Sequence, residues 1–131
     1  MIDRAPAPAR LLVVDDNKVN RLLLTRNLEL LGHRVATAEN GRLALDLLRA
    51  EAFDLVLLDI GMPNVDGREV ARRLRATAET KSTFLVAVTG FSPGDTTLDM
   101  SPTGFDARIT KPLENEALLA LIARVQQMKG G

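Results

Sequence analysis

The chain contains no cysteine, and its formal net charge is zero. The absence of cysteine excludes a disulfide framework, a thiolate metal site and a cysteine nucleophile, and it is compatible with a reducing compartment. The zero net charge argues against a strongly basic nucleic-acid-binding surface. No apolar run approaches the roughly 18 residues of a membrane span, and the N-terminus lacks the apolar core of a signal peptide. We therefore predict a cytoplasmic protein that contacts neither nucleic acid nor membrane directly.

The composition is that of one ordinary globular domain. The 131 residues are 46% hydrophobic and 26% charged, which is enough for a single domain with a real core. We predict that this domain covers residues 11–128, with a short tail at 129–131. Residues 1–10 contain an Ala-Pro repeat, which predicts either a linker to something larger or a disordered terminus.

Short apolar runs alternate with helical patterns along the chain. The runs predict strands at residues 11–14, 34–37, 53–58, 84–88 and 107–109. Helices are predicted between them, and the last helix covers 113–128. The first helix ends near Gly32, and its predicted apolar stripe is Val19, Leu22, Leu23, Leu28 and Leu31. This alternation predicts an α/β fold, with a doubly wound, five-stranded parallel sheet that is covered on both faces.

Polar side chains stand where four of these strands end. Asp15 and Asp16 follow the first strand, Asp59 ends the third, Thr89 ends the fourth, and Lys111 follows the fifth. The carboxyl ends of strands in an open α/β sheet are where ligands bind. Three carboxylates together require a cation to stay ionised, and a hard divalent ion such as Mg2+ suits an all-oxygen site. A metal, a lysine, a hydroxyl and a nucleophilic carboxylate are the parts needed for phosphoryl transfer to an aspartate.

With these residues in this order, the chain resembles the receiver domain of two-component response regulators. The matching elements are Asp15-Asp16, Asp59 with Met62-Pro63 and Asp66-Gly67, Thr89-Gly90, and Lys111-Pro112. Two short segments are similar in sequence to receivers of hybrid histidine kinases, namely Val14-Asp15-Asp16-Asn17 and Gly104-Phe105-Asp106-Ala107. The resemblance covers residues 11–128 and implies the flavodoxin-like (βα)5 fold.

The resemblance also implies a role for each site residue. Asp59 would be the phosphoacceptor. The Mg2+ ligands would be Asp16 directly, Asp15 mainly through water, Asp59, and the backbone carbonyl of Gly61. Lys111 would contact the phosphoryl oxygens, and Thr89 would donate its hydroxyl to them.

The implied function is a phosphoacceptor signalling switch. A histidine kinase or a histidine phosphotransfer protein would be the donor, and an output domain could be fused or tethered. The protein would catalyse only its own phosphorylation and dephosphorylation. The predicted docking surface for the donor is the start of the first helix, at Asn17, Asn20 and Arg21.

Three other functions fit parts of the sequence. A docking module with the receiver fold would need no phosphorylation. An Asp-dependent Mg2+ phosphatase would use the same strand-end aspartate, but it normally has a second acid where this chain has Gly61. A nucleotide-binding module would need a phosphate-binding glycine loop, and neither common form of that motif is present.

The chain departs from the family pattern at two places. Arg108 stands where an aromatic residue or histidine usually takes part in activation. Because burying an arginine unpaired is costly, we expect Arg108 to stay outward and to pair with an acid or contact a partner. Residues 92–104 contain two prolines and two glycines, which predict an irregular or shortened fourth helix of at most about two turns. His33, the single histidine, is interpreted as structural because it follows Gly32 at a helix end, where a cation is favoured.

Overall fold

The computed structural model describes residues 8–59, 67–76, 83–89, 105–110 and 115–130. The strands in these ranges are β1 (Arg10–Val14), β2 (Arg34–Ala38), β3 (Leu55–Asp59), β4 (Phe84–Thr89) and β5 (Ala107–Thr110). The helices are α1 (Lys18–Leu30), α2 (Gly41–Ala50), α3 (Gly67–Ala76) and α4 (Asn115–Gly130). Within the described ranges, no helix is long and apolar enough to cross a membrane. The predicted helix at 92–104 lies outside the described residues.

The five strands form one parallel sheet in the order β2-β1-β3-β4-β5. The chain passes from β1 to β2 on one side and then returns to place β3 on the other side of β1. The winding direction therefore reverses between β1 and β3, and the carboxyl ends of these two central strands flank a topological switch point. The predicted doubly wound α/β fold is confirmed.

Alternate side chains of the strands fill two separate core layers. Leu12, Val14, Val56 and Leu58 point to one face, where they pack with buried residues of α2 and α3. The intervening residues of the same strands point to the other face, where they pack with α1 and α4. The sheet is thus covered on both faces, which is why its three central strands, β1, β3 and β4, are continuous apolar runs.

Helix α1 begins and ends with standard caps. The Asn17 side chain accepts a hydrogen bond from the Asn20 N–H at 3.0 Å, as an N-cap residue does. After the helix, Gly32 has a φ of +97°. The Gly32 N–H donates to the Glu29 carbonyl and the His33 N–H donates to the Leu28 carbonyl. This pair of bonds is a Schellman motif, and the positive φ explains the glycine.

The predicted inward stripe of α1 is wrong in part. Leu28 is buried, and Leu31 after the helix is half-buried. Val19, Leu22 and Leu23 are instead 61%, 60% and 60% exposed. The exposed and the inward-facing apolar residues both recur at helical spacing, and the residues of α1 that pack against the sheet are Leu24 and Leu28. Because Leu30 is also exposed, at 78%, an apolar stripe runs along the solvent side of the helix.

The apolar spacing of the other helices predicts inward side chains, and the structure buries or half-buries all of them except Leu43; the predicted set is Leu43, Ala44, Leu47, Leu48, Val70, Ala71, Leu74, Leu118, Leu121, Ile122 and Val125. Asn40 caps α2, its side chain accepting from the Leu43 N–H at 2.8 Å. Leu43 itself is largely exposed. The buried members of this set are Ala44, Leu48, Val70, Ala71, Leu74, Leu118, Ile122 and Val125. Asp66 is a residue type that favours the N-cap, and it precedes α3 in the sequence, but it lies outside the described residues.

Two aspartates at the amino edge of the sheet form the same pair of hydrogen bonds with a neighbouring strand. Asp54 stands just before β3, accepts the Arg10 N–H on its side chain at 2.8 Å, and donates its own N–H to the Arg10 carbonyl. Asp106 stands just before β5 and forms the same pair of bonds with Leu85. Each carboxylate satisfies a strand N–H at the point where the neighbouring strand has not yet begun.

His33 has a structural role, as the sequence predicts. Its Nδ1 atom accepts a hydrogen bond from the Ala9 N–H at 3.1 Å, so this nitrogen carries no proton. Burial lowers the pKa of His33 below its usual value. Burial therefore favours the neutral ring, which is also the form that accepts the Ala9 bond, and the cation that a helix end would favour is not supported at this position.

Candidate functional site

Three carboxylates meet at the carboxyl edge of the two central strands. Val14 of β1 pairs with Leu58 of β3, so the next residues, Asp15 and Asp59, stand side by side. Asp15 and Asp59 are each only 6% exposed, whereas Asp16 is exposed. One carboxylate oxygen from each of the three lies within 4.8 Å of the others. The structure therefore brings together the three acids that the sequence predicts.

Asp15 is held in place at three points. Its N–H donates to the Ala38 carbonyl at 3.1 Å, which continues the pairing of β1 with β2. Its Oδ1 accepts the Asn17 N–H at 2.9 Å. Its backbone carbonyl accepts a hydrogen bond from the Arg21 guanidinium at 2.8 Å. The turn between β1 and α1 is thus a fixed element of the site.

Asp16 contrasts with its neighbour. Across the described ranges, its carboxylate makes no hydrogen bond and no ion pair, and it faces solvent. The cluster therefore has two buried acids and one open acid, so that one side is accessible to water and ligands.

The donor set fits a hard divalent cation. Carboxylate oxygens are the ligands that Mg2+ prefers, and the three acids place oxygens within 4.8 Å of one another. Without a cation, two carboxylates at this distance repel each other by roughly 3 kcal/mol at an effective dielectric constant of about 20.

The remaining predicted residues lie on the neighbouring strands or outside the described ranges. Asp59 pairs with Val88 in the sheet, so Thr89 is the next residue of β4 at the same edge, and it is half-buried. Thr89 in turn pairs with Thr110, the last residue of β5. Lys111, which follows Thr110 in the chain, and Gly61, which follows β3, lie outside the described residues. Their proposed roles stay predictions.

Two features of α1 bear on the predicted docking surface. Arg21 is half-buried and bonded to Asp15, whereas Asn17 and Asn20 are exposed, and docking at these residues stays a prediction. The stripe of Val19, Leu22 and Leu23, predicted to face the core, is exposed and begins one turn from Asp16. Arg108 is exposed, as predicted, but within the described parts of the chain it forms no ion pair, so the expected pairing with an acid is not found there and the contact with a partner stays a prediction.

Comparison with known proteins agrees with the fold and the acid cluster. The family model of the response regulator receiver domain matches residues 11–123. The chain belongs to the response regulator receiver domain family. Receiver domains generally bind Mg2+ at an acidic pocket, and the cluster of Asp15, Asp16 and Asp59 fits such a pocket.

Relatives include long sensor proteins and a protein of about the same length as this chain. Sensor protein GacS of Pseudomonas syringae pv. syringae is 37% identical over 124 residues, which are 92% of this chain and 13% of GacS. Protein PilH of Pseudomonas aeruginosa is 38% identical over 117 residues, which are 89% of this chain and 97% of PilH. The chain therefore spans a small part of one relative and nearly all of the other.

A solved structure shows the same fold next to a kinase. The crystal structure of histidine kinase ThkA in complex with response regulator protein TrrA contains a chain 34% identical to this one. The two superpose with a TM-score of 0.76, covering 89% of this chain and 97% of that chain. The predicted resemblance to receiver domains is confirmed.

Proposed function

We propose that the protein is a phosphoacceptor switch in which Asp59 takes a phosphoryl group from a phosphohistidine. The observation that carries this proposal is the position of Asp59. It is a buried carboxylate at the end of a central strand, within 4.8 Å of two further carboxylates. A nucleophile needs a defined position and a means of neutralising the negative charge of the incoming group. The acid pair can provide the charge neutralisation by holding a cation.

The transfer itself is a displacement at phosphorus. A carboxylate oxygen of Asp59 attacks the phosphorus atom, the phosphorus–nitrogen bond of the phosphohistidine breaks, and the leaving imidazole takes up a proton. Bound Mg2+ would neutralise charge on the phosphoryl oxygens. Asp16 would hold that ion directly, with Asp15 acting mainly through water and the Gly61 carbonyl as a further ligand.

Two further residues would read the phosphorylated state. The acyl phosphate on Asp59 would carry about 1.5 to 2 negative charges at neutral pH. The Thr89 hydroxyl, at the same edge of the sheet, would donate a hydrogen bond to it. Lys111 would contact its oxygens as a compact cation. Movement of these groups toward the phosphoryl oxygens would pass the signal to an output domain, either fused or tethered.

The alternatives have less support. A phosphatase acting on other substrates would need a general acid beside the nucleophile, and the residue two places after Asp59 is Gly61. A docking module that is never phosphorylated would have no need for three clustered carboxylates, which repel one another. A cytoplasmic location stays a prediction.

The labelling experiment tests the proposal directly. With acetyl phosphate and Mg2+, the protein should gain one phosphoryl group of about 80 Da, and the variant Asp59→Asn should gain none. Chelation of the metal should stop labelling of the wild type. The matched control is Asp46→Asn, which removes an exposed carboxylate on α2 and should label normally. Labelling of Asp59→Asn at the wild-type rate would refute the assignment.

We further propose that the donor docks on the exposed apolar stripe of α1. The stripe is Val19, Leu22, Leu23 and Leu30, and all four are at least 60% exposed. Its near end begins one turn after the open carboxylate of Asp16. A partner helix that covers this end would bring its phosphohistidine to the open side of the cluster. Exposed leucines in such a row are typical of interaction sites.

The docking proposal is tested with two variants on one helix. Replacing Leu22 and Leu23 together by Asn should slow phosphotransfer from a protein donor and leave labelling by acetyl phosphate unchanged. The control, Leu30→Asn, removes a more exposed leucine that lies about 16 Å along the helix from Val19. It should slow transfer less. Equal slowing by both changes would contradict docking at the near end.

A further inference from the structure

The side chain of Arg21 reaches back from α1 to the end of β1. The backbone of this residue lies in the first turn of the helix, with its N–H bonded to the Asn17 carbonyl at 3.0 Å. Its guanidinium donates to the Asp15 carbonyl at 2.8 Å, and the residue is half-buried. A charged donor makes a stronger hydrogen bond than a neutral one. Arg21 therefore ties the helix to the acid pair.

The atom that Arg21 holds is the one that orients Asp16. The carbonyl of Asp15 and the nitrogen of Asp16 belong to one planar peptide unit, so fixing the oxygen fixes the plane. The side chain of Asp16 makes no hydrogen bond of its own in the ranges the structure describes. Its direction consequently depends on the backbone that carries it, and that backbone depends on the Arg21 bond.

We propose that Arg21 is a positioning residue for the acid pair. By holding the Asp15 carbonyl, it sets the direction of the Asp16 carboxylate and so raises the affinity of the cluster of Asp15, Asp16 and Asp59 for a divalent cation. The inference depends on the proposed function only in requiring that this cluster binds Mg2+. It does not depend on phosphorylation.

Two effects of Arg21 on the cation have opposite signs, which makes the proposal testable. The positive charge of the guanidinium repels a cation, so removing the charge alone would tighten binding. Removing the group that orients the ligands would weaken binding, by about 10- to 100-fold in comparable sites. Because Arg21 is only half-buried, we expect a loss of cation affinity at the lower end of this range, about tenfold.

The test is to titrate the unphosphorylated protein with two cations. Binding of Mg2+ is measured by isothermal titration calorimetry, and binding of Mn2+ is measured by electron paramagnetic resonance. Arg21→Met should raise the dissociation constant about tenfold. Arg21→Lys keeps the charge that repels the cation but loses the planar guanidinium that holds the Asp15 carbonyl, so it should bind the cation at least as weakly as Arg21→Met does. The matched control is Arg26→Met, which removes the same charge from an exposed position of α1 that has no contact with the acid pair. It should bind as the wild type does, or slightly tighter.

Thermal unfolding in EDTA separates positioning from folding. A residue needed only for folding would lower the melting temperature and leave the dissociation constant of the folded protein unchanged, which would overturn the proposal. Equal affinities of Arg21→Met and Arg26→Met would also overturn it. If Arg21→Met does not fold, Arg21→Lys decides, since wild-type affinity in that variant contradicts the proposal. Absence of Mg2+ and Mn2+ binding by the wild type would instead contradict the metal site itself.

Discussion

Asp106 supports the start of β4, and its removal should destabilise the fold far from the candidate site. Its carboxylate accepts the Leu85 N–H at 2.8 Å and the Arg75 guanidinium at 2.5 Å. Leu85 is fully buried, so Asp106→Ala leaves a buried donor without this acceptor. A hydrogen bond to a charged group contributes about 1.5 to 3 kcal/mol. An ion pair that is partly exposed, with side chains 24% and 39% exposed, adds about 0.2 to 1 kcal/mol.

The sum is a loss of about 2 to 4 kcal/mol in the free energy of unfolding. For a domain of this size, that corresponds to a fall in melting temperature of roughly 8 to 16 °C. Asp106→Asn keeps an oxygen that can accept the Leu85 N–H but loses the charge, so we expect about half the effect. Urea denaturation of both variants measures the change, since a stability effect shifts the midpoint and leaves the slope unchanged.

The matched control is Asp46→Ala, which removes an exposed carboxylate from the surface of α2. It should change stability by less than about 0.5 kcal/mol. Asp54→Ala removes the same type of carboxylate bond, to the N–H of the half-buried Arg10, and should destabilise the fold in the same direction but by less. A loss below about 0.5 kcal/mol for Asp106→Ala would refute the reasoning that the carboxylate replaces a missing strand partner.

Three further predictions follow from local features. Because burial lowers the pKa of His33, the unfolded chain binds a proton that the folded one does not. The free energy of unfolding should therefore fall as the pH drops from about 6.5 through the folded pKa. In His33→Gln, the urea midpoint should depend less on pH between pH 7 and 5. Asn40→Ala removes the acceptor for the Leu43 N–H and should cost about 1 kcal/mol in thermal unfolding, with Asn40→Asp nearly neutral. If the segment at 92–104 is irregular as its sequence predicts, amides 96–101 should exchange with deuterium faster than those of α1, and equal protection would contradict this.

The fold was predictable because its signals are local and repeated. The three central strands β1, β3 and β4 are continuous apolar runs, since both faces of the sheet are covered. The acid pair and Asp59 were identifiable because each directly follows such a run. In a parallel sheet, residues at the carboxyl ends of neighbouring strands meet at one edge. Order along the chain therefore predicted proximity in space without any knowledge of distances.

The orientation of α1 was not predictable, because the helix has two apolar faces at the same spacing. Val19 and Leu23 recur with the period of a helix, and so do Leu24, Leu28 and Leu31. Periodicity identifies the helix but does not tell which face meets the sheet. That choice depends on how the helix crosses strands that are distant in sequence.

The hydrogen bonds around the turns escaped prediction for a different reason. The Arg21 bond depends on the backbone geometry of the turn after β1, which the side-chain pattern does not encode. A signal did exist for the amino-edge aspartates. The same pair, Phe-Asp, precedes β3 as Phe53-Asp54 and β5 as Phe105-Asp106. The phenylalanines are buried in one core layer, and each aspartate forms the same bonds.

The central claim is that Asp59, and neither of its two neighbouring acids, accepts the phosphoryl group. The most direct test is to phosphorylate the protein, reduce the acyl phosphate with borohydride, and map the modified residue by peptide mass spectrometry. Reduction converts a phosphorylated aspartate into homoserine, so the modified position carries its own mass label. The account predicts homoserine at position 59 and unmodified Asp15 and Asp16. Homoserine at position 15 or 16, with Asp59 intact, would contradict it.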